Sequence, residues 1–421
     1  DRRSAPPVAD PDRVLNSSKE NLTGFLENRA VKRLINQGDT ARVDREVRNN
    51  GNLVQSVVQF SRPIYLNEVQ ARTQTAITSG TPLLERLVWF WANHFTVSAN
   101  KPIITPLAGA FEREVIRPNI LGRFEDLLLS VVSHPAMILY LDNQTSFGPN
   151  SRVGRRRGKG INESLAREVL ELHTLGVDGG YTQKDVSAFA AALTGWTINN
   201  GRRMKRGIGE FWYVDVVHEP GPKTVAGKTY TQSGQQQGIA ILKELAHHPA
   251  TARHIATKLA RHFITDDPPQ AVVDQLAATF RRTSGDLRAL TRTLIELDEA
   301  WLPEQQKVKT PQEFVVSGLR ALGVPTVEGG AIVGSLDSLG QRPFFAPSPA
   351  GWPDTADHWT GPDAVYKRIE WALAVGERIA PYLDTPTLFA ATSMGGNATD
   401  VLLESMARAE SPAQAITLLL S

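Results

Sequence analysis

The stretch NESLAREVLELHTLG, residues 162–176, puts three glutamates, one arginine and one histidine within a single helix length. On a wheel of about 100° per residue, Leu165, Val169 and Leu172 share an apolar face. Glu163, Arg167 and Glu171 then fall at i, i+4 and i+8 on the opposite side, the spacing of an ion-pair ladder. Glu168 lies at the polar edge and His173 within the apolar arc, roughly 140° apart, too far to share one metal ion. His173 reads as a core imidazole bonded to a carbonyl. Glu168, at a face boundary, is placed where partial burial raises a carboxyl pKa towards the range of a general acid.

A second set of chemistry-bearing residues lies where elements end. His94 closes an apolar helix, Asp142 and Asn143 end another, and Trp196 and His218 flank a β-prone stretch. Trp352 and Asp354 sit in the loop QRPFFAPSPAGWPDTADHW, residues 341–359. Indole faces beside carboxylates suit sugar rings: the C–H faces stack while the carboxylates bind hydroxyls or move protons. Glu168 is the expected proton donor, with Glu163 or Asp354 as its partner carboxylate. His94, His173 and His218 are expected to position substrate, Asp142 and Asn143 to bind it, and Trp196 and Trp352 to stack on rings. Arg155, Arg156 and Arg157, in the basic run RRRGKG, are expected to hold acidic groups. Solvated charge and ordinary core packing are the competing explanations, the latter above all for Trp89, Trp91 and Trp212.

Several chemistries are poorly served. The absence of cysteine removes disulfides, thiolate zinc sites, iron–sulfur clusters and a cysteine nucleophile. His247, His248, His254 and His262 cluster in sequence, and His254 and His262 share a face, but no third ligand follows at close spacing, so no metal is expected. GxSxG and GxxxxGK[ST] are missing, no GxGxxG follows a strand, and no cofactor is expected. Basic and acidic residues balance at 46 to 44, and aromatics are absent from the basic run, so nucleic acid is not an expected partner. No run of 18 apolar residues is present, so no membrane span is expected.

FWANHFTV (90–97), HPAMILYLDNQ (134–144), GPNSRVGRRRGKGINESLAREVLELHTLGVDGGYT (148–182), FAAALTGWT (189–197), HEPGPKTVAGKTY (218–230) and SPAGWPDT (348–355) follow one another in a fixed order. Together they resemble a large bacterial family catalogued as domain of unknown function number eighteen hundred. The resemblance runs from about residue 82 to 380. It implies a predominantly helical, exported protein, whose gene often stands beside that of an exported phosphatase/sulfatase-like partner. It carries no established reaction.

The elements that must position these groups are mainly helices. The fold expected is mainly α: a large domain of antiparallel helices with a small β-hairpin insertion at about 205–232. Residues 1–20 read as a flexible lead-in whose polar start suits a mature or trimmed chain, 21–81 as an N-terminal helical segment, and 82–421 as the main domain. Helices are expected near 39–59, 64–77, 83–95 and 109–120, the last broken near Pro118, and as a pair over 124–141 with Pro135 starting the second. Glycines and basic residues at 143–161 forbid a regular element. FWYVDVV (211–217) and KTVAGKTY (223–230) read as the two strands of the hairpin. Helical signals return at 236–263, 269–282, 285–296, 310–322, 362–378 and 397–420. Three functions stay open: an exported glycoside hydrolase or lyase, a non-catalytic exported helper that binds or matures a phosphatase/sulfatase-like protein, and a metal-dependent hydrolase.

Overall fold

The computed structural model describes residues 8, 15–49, 56–201, 206–304, 306–383 and 385–421. Most of the expected lead-in and residues 50–55 of the helix expected at 39–59 lie outside these residues; 40–49 are helical, and 57–59 belong to the next helix, Val57–Thr78. The chain is mainly α, with two short antiparallel hairpins, as the apolar periodicity required. Its first helix, Ser18–Asn36, opens on a capping box in which Ser17 and Glu20 satisfy each other's amides. Leu22 of that helix is buried in the same cluster as the later helices, so the N-terminal segment packs onto the main body.

Two apolar cores meet. The larger runs from Leu22 to Leu297 and includes Leu87, Phe90, Trp91, Phe124, Val169, Phe189 and Ile255. The smaller gathers Tyr65 and Val69 of the Val57–Thr78 helix, Phe314 and Val315 of Pro311–Ala321, and Ile332 and Leu336 of Gly329–Ser338. Each large side chain so buried contributes about 1.5–3 kcal/mol. Phe344, in the 341–359 loop, packs against both cores, and the seam between them is where the cleft described below opens.

Local punctuation behaves as its chemistry demands. Phe124–Ser133 and Pro135–Tyr140 are separate helices with Pro135 in the first turn. His134 and His248 cap two different helices in the same way: each Nδ1 accepts the amide two residues on, at 3.1 Å, with proline at the first helical position. The Thr182–Asp185 capping box is formed.

Four expectations are corrected. The hairpin is two hairpins. Phe211–Tyr213 (β2) pairs back with Trp196–Ile198 (β1), whereas KTVAGKTY holds both strands of its own hairpin, Lys223–Val225 (β3) and Lys228–Tyr230 (β4). Ala226 and Gly227 turn it with positive φ at both positions, which suits the twist of a two-residue loop. Gly154–Arg157 forms one helical turn inside the supposed loop, ended by Gly158 at φ 58. The 108–119 segment is not broken at Pro118; a π turn, Glu112–Ile116, sits in its middle and Pro118 lies in the short final α segment. A second π turn, Val169–His173, continues the Ser164–Glu168 helix. A π turn holds an extra residue, so the wheel drawn at 100° per residue loses its azimuths from Val169 onwards.

The first π turn organises a buried ionic layer. Glu112 pairs with Arg72, Arg113 with Glu68, and Glu114 with His134. Just beyond it, Arg117 grips Glu85 through two bonds of 2.8 and 2.7 Å, with side chains only 3% and 2% exposed.

Candidate active site

Three helices and one loop build a cleft on the seam. Pro82–His94 supplies Trp89 and Asn93, the C-terminal end of Pro249–Phe263 supplies His262, and the first turn of Pro311–Ala321 supplies Glu313. The 341–359 loop closes it with Trp352 and Asp354. A cavity of about 80 Å³ lies between these groups. A larger one, about 400 Å³, adjoins it, and Trp89, His262 and Glu313 line both.

The loop is held by its backbone. Asn93 donates from Nδ2 to the Trp352 carbonyl at 2.9 Å, and its Oδ1 accepts the Trp352 amide at 2.7 Å. Gly351 has φ +84, and a Cβ there would meet the Asn93 oxygens at 2.5 Å. Gly351→Ala is therefore expected to cost about 1–3 kcal/mol and displace Trp352; urea unfolding and tryptophan fluorescence check both effects. Trp359 donates its indole N–H to the Pro353 carbonyl, and its ring lies 6.2 Å from that of Trp352.

His262 is the centre of the charge arrangement. Its Nδ1 is 2.9 Å from Asp354 Oδ1, and both side chains are largely buried. With the proton of Nδ1 given to the carboxylate, Nε2 is left as the basic nitrogen. Burial by itself would raise the Asp354 carboxyl; the hydrogen bond and charge of His262, with Lys258 and Lys307, hold it below its ordinary value. Burial likewise pushes Glu313 up, but His262, Arg86 and the Thr310 cap bring it below the usual glutamate range. Two ionised carboxylates thus bracket one imidazole. Lys307 bridges Asp266 and the Asp354 carbonyl, and Asp266 accepts the Ala356 amide, so the loop is tied on this side too.

Beneath the cleft lies a second imidazole group. The His94 ring centroid is 6.0 Å from those of both His173 and His254. His94 Nε2 bonds the His173 carbonyl at 3.1 Å and His254 Nε2 the Leu172 carbonyl at 2.9 Å, so both brace the second π turn. Burial, with Lys258 nearby, lowers His173 to about 3 and His254 to about 4, and drives His94 well below its ordinary value. Burial takes Lys258 itself down to about 8. His173 is buried as expected, but its Nδ1 lacks the expected carbonyl partner, while His94, at 1% exposure, meets the protein rather than the cleft.

The structure brings Asp354 and Trp352 together and places the other expected residues elsewhere. Glu163 accepts from Arg167, Gln183 and Ser187, so the first rung of the expected ladder forms, whereas Glu171 accepts from Tyr181. Glu168 is half-buried near Tyr140, its carboxyl raised by burial and then by Glu171, outside the cavities described here. Arg155, Arg156 and Arg157 are exposed on their single turn. Asp142, at φ 58, pairs with Lys101. Buried Asn143 donates to the carbonyls of Leu193 and Trp196, and Trp196 is in the core. His218 bonds the Thr194 carbonyl and lines a separate cavity of about 420 Å³ beside Ser151. Among the described residues no group of three or more His, Asp or Glu is set to hold a metal ion.

Sequence reasoning missed His262, Glu313 and Lys258 as members of one site. A signal existed: His254, Lys258 and His262 recur every four residues on one face of their helix. The same spacing suits metal ligation, and Glu313 also closes the capping box of its helix with Thr310.

A family model described as "Protein of unknown function (DUF1800)" matches residues 8–421. No curated protein and no solved structure matches the chain.

Proposed function

The chain belongs to the DUF1800 family, and from that starting point we propose an exported glycan-active enzyme whose acid–base group is His262, held by Asp354. The observation that carries the reading is His262 bracketed by two ionised carboxylates in a cleft walled by Trp89 and Trp352. Tryptophan faces stack on sugar rings, and a carboxylate-oriented imidazole is a general base near neutral pH.

The charge state narrows the chemistry. Hydrolysis by a carboxylic acid requires a carboxyl group kept protonated, with its pKa raised. Asp354 and Glu313 are both lowered instead, which favours base-initiated β-elimination, the lyase branch. His262 Nε2 takes the proton at C5 of a uronate residue. The C5 electron pair forms the C4=C5 double bond, the C4–O4 bond breaks, and the leaving O4 takes its proton back from the imidazolium. Asp354 stabilises that imidazolium, and no redox partner is needed.

A panel of acidic and neutral polysaccharides, followed by the ultraviolet absorbance of the new double bond, tests this. Asp354→Asn is expected to lower kcat/KM by about 10²–10⁴-fold while circular dichroism stays unchanged. Cleavage of no polysaccharide, or a fully active Asp354→Asn protein, rejects the assignment. A second reading, the exported helper, draws on one observation: Val365, Tyr366, Ile369 and Leu373 lie exposed on the Pro362–Ile379 helix, an apolar stripe suited to a protein partner.

A further inference from the structure

We propose that the larger cavity is the subsite for the carboxylate of a hexuronate, so that the substrate is an acidic glycan; this rests on the cleft reading above. Four cations, Arg86, Lys307, Lys309 and Arg320, line that cavity of about 400 Å³. Its acidic groups are already engaged. Glu85 is bound at both oxygens by Arg117, and Glu313 accepts the Thr310 amide and an Arg86 N–H. Lys307 is committed to Asp266 and the Asp354 carbonyl.

The remaining cations keep capacity for a ligand. Arg320 uses Nη1 on the Ala76 and Ile77 carbonyls, which leaves Nε and Nη2. Arg86 spends one bond, at 3.3 Å, on Glu313 and lies over the Phe263 ring. Lys309 lines the cavity, is exposed, and makes no ion pair among the described residues. Guanidinium groups match a planar carboxylate with two parallel N–H donors, a fit that a neutral sugar cannot use.

The position of the cavity gives the charge a chemical purpose. His262, Glu313 and Trp89 form the wall shared with the smaller cavity. A carboxylate held by Arg86, Lys309 and Arg320 brings the carbon that bears it towards the imidazole. Removing a proton from that carbon drives negative charge onto the carboxylate, where fixed cations act on the charge as it develops. Arg155, Arg156 and Arg157 line neither cavity.

Calorimetric titration separates this from the catalytic assignment. A galacturonate oligosaccharide, its neutral methyl ester and inorganic sulfate are each titrated into the full chain and into the Lys309→Gln variant. The acidic oligosaccharide is expected to bind about tenfold tighter than its ester, and Lys309→Gln to weaken the acidic ligand alone by a similar factor. Equal affinity for acid and ester, or an unaffected Lys309→Gln, overturns the subsite; sulfate binding as tightly as the oligosaccharide overturns its assignment to a sugar carboxylate. Binding as expected without any cleavage rejects only the acid–base role of His262.

Discussion

Acidification from pH 7 to about pH 4.5 is expected to remove most of the folding free energy. His94, His173 and His254 are neutral in the folded chain because burial, with Lys258 beside them, depresses their pKa values, to about 3 for His173 and about 4 for His254. Released from the fold, each titrates near 6.5. Between about pH 6.5 and 4 the unfolded chain therefore binds more protons than the folded one, and stability must fall as pH falls. His173 and His254 each cost about 1.4 kcal/mol per pH unit, and His94 acts in the same direction. Two units below 6.5, the loss is comparable with the whole stability of an ordinary domain, about 5–15 kcal/mol. Urea unfolding at a series of pH values reads the slope, and His254→Asn should lower it by about one proton. A flat profile between pH 6.5 and 4.5 would show that these imidazoles are not buried neutral. Since His94 and His254 brace the π turn through its carbonyls, that turn should lose amide-exchange protection first.

The second large effect concerns stability at neutral pH. Glu85→Ala removes the buried carboxylate that Arg117 grips through two bonds, and is expected to cost about 3–5 kcal/mol. Replacing both residues by leucine removes both desolvation penalties, so the double variant should recover most of that loss. Thermal or urea unfolding of the two single variants and the double variant measures the coupling. Additive losses would mean that the pair is not the buried unit its geometry describes. Glu85 sits in the first turn of the Pro82–His94 helix, next to Arg86, so loss of the pair should loosen the wall that carries Trp89.

The parts of this fold that were legible in the amino acids are those set by near neighbours. Pro135 marks a helix start because a first-turn proline loses no hydrogen bond. The Thr182–Asp185 box spans only four residues. The Glu163–Arg167 rung needs one helical turn, and it lies in the α part of its helix. One residue later the reasoning failed for a physical reason. The π turn at Val169–His173 shifts every azimuth beyond it, and no residue pattern in VLELH announces that change.

Candidate chemistry was half legible. The 341–359 loop stood out because indoles, prolines and acids concentrate there, and Trp352 and Asp354 do line the cleft. Asp354 finds its partner His262 across 92 positions of sequence. Likewise, the conspicuous arginines at 155–157 lie apart, while Arg86, Lys309 and Arg320, scattered in sequence, line one cavity.

By itself the sequence determined the mainly helical class, most helix ends and the kinship with one family, since these rest on periodicity, capping and motif order. Only the tertiary structure decided that two cores meet at Phe344 and that His262, Glu313 and Asp354 share a cleft. Helical periodicity fixes which way a side chain points around its own axis. Which other helix or loop stands opposite is set by how the apolar faces pack, and a loop without period leaves no trace of that choice in its residues.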